Sequence, residues 1–130
     1  MNNIIIWICR ILIGLTAIVL LVTGFLWAFM PEANLKMNGI SAESVLAINT
    51  IKANIGGTLL FGSIISFLYL FKGREWFLPN VIYFTSLVIV RSISLLTDGY
   101  HQTNVIGIVV EVLFLIAVSG LNRHNKITDT

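Results

Sequence analysis

The sequence predicts an all-α integral membrane protein, a four-helix bundle with both termini on the cytoplasmic side. Three observations predict it. First, 57% of the 130 residues are hydrophobic and 11% are charged, where a water-soluble domain carries about 25% charged residues. That apolar surplus is too large for one water-soluble core of this length, so the remainder must face lipid. Second, the apolar residues gather in four runs, each near the roughly 20 residues that a bilayer crossing needs. Third, the basic residues between the runs are unevenly placed. Arg10, Lys72, Arg74, Arg123 and Lys126 fall on one side of a four-span topology, and Lys36 and Lys52 on the other. The positive-inside rule puts the richer side, with both termini, in the cytoplasm. Residues 1–130 read as a single four-span domain with spans at about 4–30, 45–71, 77–97 and 105–121.

The first span runs from Ile4 to Met30 and is free of charge from Ile11 onward. Its start carries no charged region ahead of a short apolar core, and Trp27-Ala-Phe-Met-Pro31 is a poor cleavage site. A retained span is therefore expected, not a signal peptide. Gly14, Ala17, Gly24 and Ala28 lie close to one stripe with Arg10, a small-residue face that admits a close neighbour. Pro31 ends the run. Residues 31–48 form a connection expected at the membrane surface, with a turn at Asn38-Gly39 and Ser41 placed to cap a helix leading into the second span.

The second span, Val45 to Phe71, carries Asn49, Lys52, Asn54, Gly56 and Gly57 at its outer end. At helical spacing, Lys52, Gly56, Ser63 and Ser66 share a face. Two adjacent glycines cost a helix about 1 kcal/mol each relative to alanine, and close helix contact is the usual compensation. The link Lys72-Gly-Arg-Glu-Trp76 is basic and aromatic, as at a membrane interface. The third span, Phe77 to Thr97, tolerates Pro79 in its first turn. Asp98-Gly99 opens a polar turn. The fourth span, Val105 to Leu121, is interrupted by Glu111 and followed by a polar, basic tail.

The charges inside these runs are the candidate site. Arg91 lies about 10 Å below Asp98 along the third helix, and Glu111 a similar depth below Val105 on the fourth, at 1.5 Å per residue. The two helices are antiparallel neighbours joined by a short turn, so Arg91 and Glu111 meet at one level. An unpaired charge near the membrane centre costs at least about 2.5–3.5 kcal/mol, so pairing is expected. The planar guanidinium fork suits both carboxylate oxygens. Lys52 enters from the same outer side and could pair with Asp98 near the rim. The candidate cluster is thus Asn49, Lys52, Asn54, Gly56, Gly57, Arg91, Asp98, Gly99 and Glu111.

In order and spacing, Asn49-Thr-Ile-Lys-Ala-Asn-Ile-Gly56-Gly57, Arg91…Asp98-Gly99 and Glu111 resemble the domain-of-unknown-function 4345 family, bacterial four-helix membrane proteins. The likeness covers nearly the whole chain. The family pattern has an arginine where this chain has Lys52, which keeps the charge but not the bidentate geometry. The resemblance implies the fold and a bacterial inner-membrane location, and no activity. In general look the chain is also similar to DoxX-like small membrane proteins, some linked to quinone-dependent oxidation, an analogy of fold alone.

Several chemistries find no support. Cys9 is the only cysteine, which rules out an intrachain disulfide, a Cys-x-x-Cys dithiol and a cysteine metal cluster; its ordinary role is apolar packing. His101 and His124 fall on opposite sides of the predicted topology, against a two-histidine haem site. No phosphate loop or nucleophile elbow is present, no basic aromatic block marks nucleic acid, and nothing selects a cofactor or a metal. Small multidrug transporters place their carboxylate in the first span, which has none here. Three readings stay open. The leading one is a structural or accessory membrane protein, partnered by the bilayer and by a second copy or another membrane protein. The alternative is a binding protein or enzyme with an outward pocket for a small anionic, lipid-like or quinone-like ligand. The third is a small transporter.

Overall fold

The computed structural model describes residues 3–37, 41, 44–100 and 102–128, with side chains as far as 125. The expected Asn38-Gly39 turn, Ala42-Glu43, His101 and the Lys126 side chain lie outside the described residues. The elements are α1 (Asn3–Phe29), α2 (Pro31–Met37), α3 (Val45–Ile51), a π turn (Lys52–Gly56), α4 (Gly57–Lys72), a 3-10 turn (Arg74–Trp76), α5 (Phe77–Thr97) and α6 (Gln102–Thr128). No strand occurs among the described residues. Four helical stretches are long and apolar enough to cross a membrane: Asn3–Phe29, Val45–Lys72, Arg74–Thr97 and Gln102–Asn125.

The third span has the expected bounds, and the first begins and ends one residue early. Three details differ. Pro31 does more than end α1: it is the first residue of α2, where its fixed φ and missing N–H suit a helix start. The corner is tied by Asn34, whose Nδ2 donates to the Met30 carbonyl at 3.1 Å. Second, the cap of α3 is Ser44, not Ser41. Ser44 has extended backbone, and its Oγ accepts the Ala47 N–H at 3.1 Å, satisfying one of the donors a helix start leaves open. Third, α6 begins at Gln102, three residues before the expected Val105, and runs seven residues past the expected end at Leu121, to Thr128. Asn122-Arg-His-Asn-Lys contains neither glycine nor proline, so polarity alone gives the backbone no reason to stop.

The contacts gather in two compact units, residues 1–15 with 65–130 and residues 16–64. In the second, the latter part of α1 packs antiparallel to the segment Lys52–Ile64. A Cβ on Gly24 would stand 2.9 Å from Leu60 Cγ, and one on Gly56 would stand 2.9 Å from the Ala28 backbone nitrogen. Ser63 Oγ donates to the Ala17 carbonyl at 2.8 Å. Close backbone approach through small residues is how helices associate where no water drives them together. The small-residue stripe of α1 is therefore a packing face at Ala17, Gly24 and Ala28. Gly57, by contrast, has nothing within 4 Å of its Cβ position, so only one of the paired glycines is needed for contact. The π turn takes an extra residue, so the face drawn through Lys52 at α-helical spacing slips. Gly56, Ser63 and Ser66 are buried, and Lys52 is half-buried.

In the first unit α5 packs along α6, with Phe84 and Phe114 stacked at 3.7 Å between centroids and 25° between planes. Asn80, fully buried, ties α4 to α5. Its Nδ2 donates to the Ile65 carbonyl at 2.9 Å and the Trp76 carbonyl at 2.8 Å, and its Oδ1 accepts Ser66 Oγ at 3.1 Å. Tyr69 reaches from α4 to α6, donating to the Val118 carbonyl at 3.0 Å. Alongside an apolar core that includes Ile13, Phe84, Phe114 and Val118, several polar side chains are buried and many large apolar ones are exposed. Ser63, Ser66 and Asn80 are 0% exposed, while Leu96 is 88%, Met37 84% and Phe71 81% exposed. Polar side chains that hydrogen-bond inward and apolar ones that face outward suit an apolar surrounding.

Candidate functional site

Two helices in the same unit carry matching spacings. On α5, Arg91, Ser94 and Asp98 lie at i, i+3 and i+7; on α6, Asn104, Gly107 and Glu111 do the same. Each set is one helix face. Because α5 and α6 are antiparallel, the faces oppose each other in reverse order, and the side chains join into one chain of contacts. Arg91 Nε donates to Glu111 Oε1 at 2.8 Å. Arg91 Nη1 donates to Asn104 Oδ1 at 3.4 Å, a long and weak bond. Asn104 Nδ2 donates to Ser94 Oγ at 3.3 Å, and Ser94 Oγ donates to Asp98 Oδ2 at 2.9 Å. The string runs from Glu111, 5% exposed, to Asp98, which is exposed where α5 ends.

Gly107 makes the central contact possible. A Cβ there would lie 2.8 Å from both Cζ and Nε of Arg91, closer than side chains tolerate. The guanidinium thus fills the notch that the missing side chain leaves on α6, one turn from Glu111. Tyr83, also buried, is within electrostatic range of both Glu111 and Arg91.

The pairing of Arg91 with Glu111 was expected; its geometry was not. Instead of a fork spanning both carboxylate oxygens, the contact is side-on through Nε. Glu111 Oε2 is buried with no hydrogen-bond partner among the described residues. The physical reason is the notch: a guanidinium laid over Gly107 presents its Nε edge to Glu111 and turns Nη1 toward Asn104. The Arg91 side chain keeps 32% of its surface exposed, against 7% for Glu111.

The remaining candidates fall elsewhere. Asp98 enters through Ser94. Gly99 supplies the left-handed residue, φ +95°, that stops α5 as a glycine after a helix commonly does. Asn49, Lys52, Asn54, Gly56 and Gly57 belong to the other unit. There Asn49, Asn54 and Gly57 are exposed, Gly56 is buried against Ala28, and Lys52 lines a groove with Phe29, Met30, Pro31, Glu32 and Ile48. Ser94, Asn104, Gly107 and Asn80 were missing from the expected cluster. The first three were readable as members of the two i, i+3, i+7 faces around Arg91 and Glu111. Asn80 gave no such signal, since a single asparagine after Pro79 looks like an interface residue.

Comparisons with protein-family models, with curated proteins and with solved structures find no match. What the site can do must be read from its geometry. The string holds an ion pair, a neutral amide and a hydroxyl in register, and it fastens α5 to α6.

Proposed function

We propose that this chain is a four-span protein of the bacterial inner membrane, with both termini in the cytoplasm, serving a structural or accessory role beside a second copy or another membrane protein. In this role Arg91 and Glu111 clamp the α5–α6 hairpin. The observation that carries the reading is the direct contact at 2.8 Å with the guanidinium seated in the Gly107 notch, an arrangement that uses both charges for helix pairing. Membrane placement draws support from the four apolar lengths and the many large apolar side chains that face outward, and orientation from the basic bias. Kinship with the domain-of-unknown-function 4345 family belongs to the same proposal.

A second reading, a site for a small anionic or quinone-like ligand at Arg91, rests on one observation. The exposed third of Arg91 and the unpartnered Glu111 Oε2 leave hydrogen-bonding capacity unused. One experiment separates the two. Cells carrying Arg91→Leu with Glu111→Leu keep the protein level of the wild type and do not show the deletion phenotype if the pair only packs. Appearance of the deletion phenotype with the protein folded and present transfers the role to a ligand. Orientation is checked by placing cysteines at Glu75 and Tyr100 in a Cys9→Ala background. An impermeant maleimide should label position 100 in intact cells and position 75 only after permeabilisation; the opposite pattern overturns the orientation.

A further inference from the structure

The unit formed by residues 16–64 contains two grooves that meet. One, about 460 Å³, is a shallow, wholly apolar groove on the exposed face of α1 itself, running past Leu21, Val22, Phe25 and Leu26 to Phe29 and Met30. The other, about 360 Å³, begins at the same Phe29 and Met30 and continues past Pro31, Glu32 and Ile48 to Lys52. The first is about 13 Å long, from the nine steps between Leu21 and Met30 at 1.5 Å rise. The second bears one cation and one anion on otherwise mostly apolar walls. Lys52 is half-buried, and among the described residues neither it nor Glu32 is in an ion pair. Lys52 also opens the π turn Lys52–Gly56, a local irregularity that recurs at functional sites. The turn is held by Gly56 against the Ala28 backbone, and the groove corner by Asn34 on Met30, so both ends of the polar groove are fixed.

We propose that these joined grooves bind one phospholipid with an amine-bearing head. One acyl chain lies along the apolar groove from Leu21 to Met30, the phosphate at Lys52 and the ammonium at Glu32. Lysine serves as a point-charge partner for phosphate, and its methylene stem can lie along Phe29 and Ile48 while the ammonium reaches the head. A wholly anionic lipid would leave Glu32 facing like charge, and a lone phosphate would leave the apolar groove unfilled. The proposal rests on the membrane reading and is separate from the Arg91–Glu111 clamp.

The test uses the full chain purified in a maltoside, titrated with phosphatidylethanolamine or phosphatidylglycerol and read by native mass spectrometry. Wild type should retain one phosphatidylethanolamine, and Lys52→Gln should weaken it about tenfold with an unchanged melting temperature. Glu32→Gln should weaken phosphatidylethanolamine several-fold while leaving phosphatidylglycerol unchanged or tighter. Inorganic phosphate at millimolar concentration should not compete. Lys52→Gln binding like wild type, both lipids responding alike to Glu32→Gln, phosphate competing fully, or a second copy of the chain occupying the groove would each overturn the proposal. Alkaline washing of membranes tests the underlying reading separately. A chain that washes off refutes membrane insertion, whereas one that stays but shows no Lys52-dependent binding refutes the groove alone.

Discussion

Arg91 meets Glu111 side-on, through Nε at 2.8 Å, with its guanidinium in the space where residue 107 would carry a Cβ. The pair therefore depends on a third residue that has no side chain. Arg91 could reach a carboxylate on α6 in many rotamers; the notch selects one, and the selected rotamer orients Nη1 toward Asn104.

Gly107→Ala follows directly. Alanine raises helix propensity by about 1 kcal/mol, but it evicts the guanidinium and weakens a charge-assisted bond worth about 1.5–3 kcal/mol. Net destabilisation of about 1 kcal/mol is expected by chemical unfolding in micelles. In an Arg91→Ala background the notch is empty, so the same change should stabilise by up to about 1 kcal/mol. That reversal of sign distinguishes a notch for Arg91 from general crowding.

The two adjacent glycines should behave differently. Gly56→Ala places a methyl group 2.9 Å from the Ala28 nitrogen. Backbone cannot step aside as a flexible side chain can, so overpacking of about 1–3 kcal/mol is expected. Gly57→Ala meets nothing within 4 Å and should be neutral or stabilising by up to about 1 kcal/mol. Melting temperatures of the two variants in one detergent decide the point.

Asn80, fully buried, holds three hydrogen bonds. Asn80→Ala should cost about 2–3 kcal/mol, at about 1 kcal/mol for each bond lost, and Ser66→Ala about 1 kcal/mol. Because the two share a bond, the double variant should cost less than the sum of the single ones. Thermal unfolding of the three variants checks this.

Much of this fold was legible because its strongest signal is length and polarity. The charge-free run from Ile11 to Met30 and the bounds Phe77 and Thr97 follow from apolar runs and their polar ends. The Arg91–Glu111 pair was legible for a related reason: two costly charges at one depth on neighbouring antiparallel helices have few other choices. Finer geometry was not legible. The π turn at Lys52 coincides with close packing of Gly56 on Ala28, a tertiary contact that no local pattern encodes. The side-on bond arises from the Gly107 notch, and Gly107 looks like any glycine until its partner helix is placed. Ser44 and Ser41 are both fit to cap a helix, and sequence offers no way to choose between them.

If Arg91 and Glu111 act as one packing unit, their effects on stability are strongly coupled. A double-mutant cycle in micelles, using Arg91→Ala, Glu111→Ala and both together, with Arg91→Leu plus Glu111→Leu as an apolar replacement, measures that coupling most directly. Breaking a buried pair on one side costs about 3–5 kcal/mol, whereas neutral side-chain hydrogen bonds between membrane helices couple by about 0.6 kcal/mol on average. The expected result is a large cost for Glu111 stranded by Arg91→Ala, a coupling clearly above about 1 kcal/mol, and recovery of most stability in the leucine pair. Additive single effects with coupling near zero would contradict it.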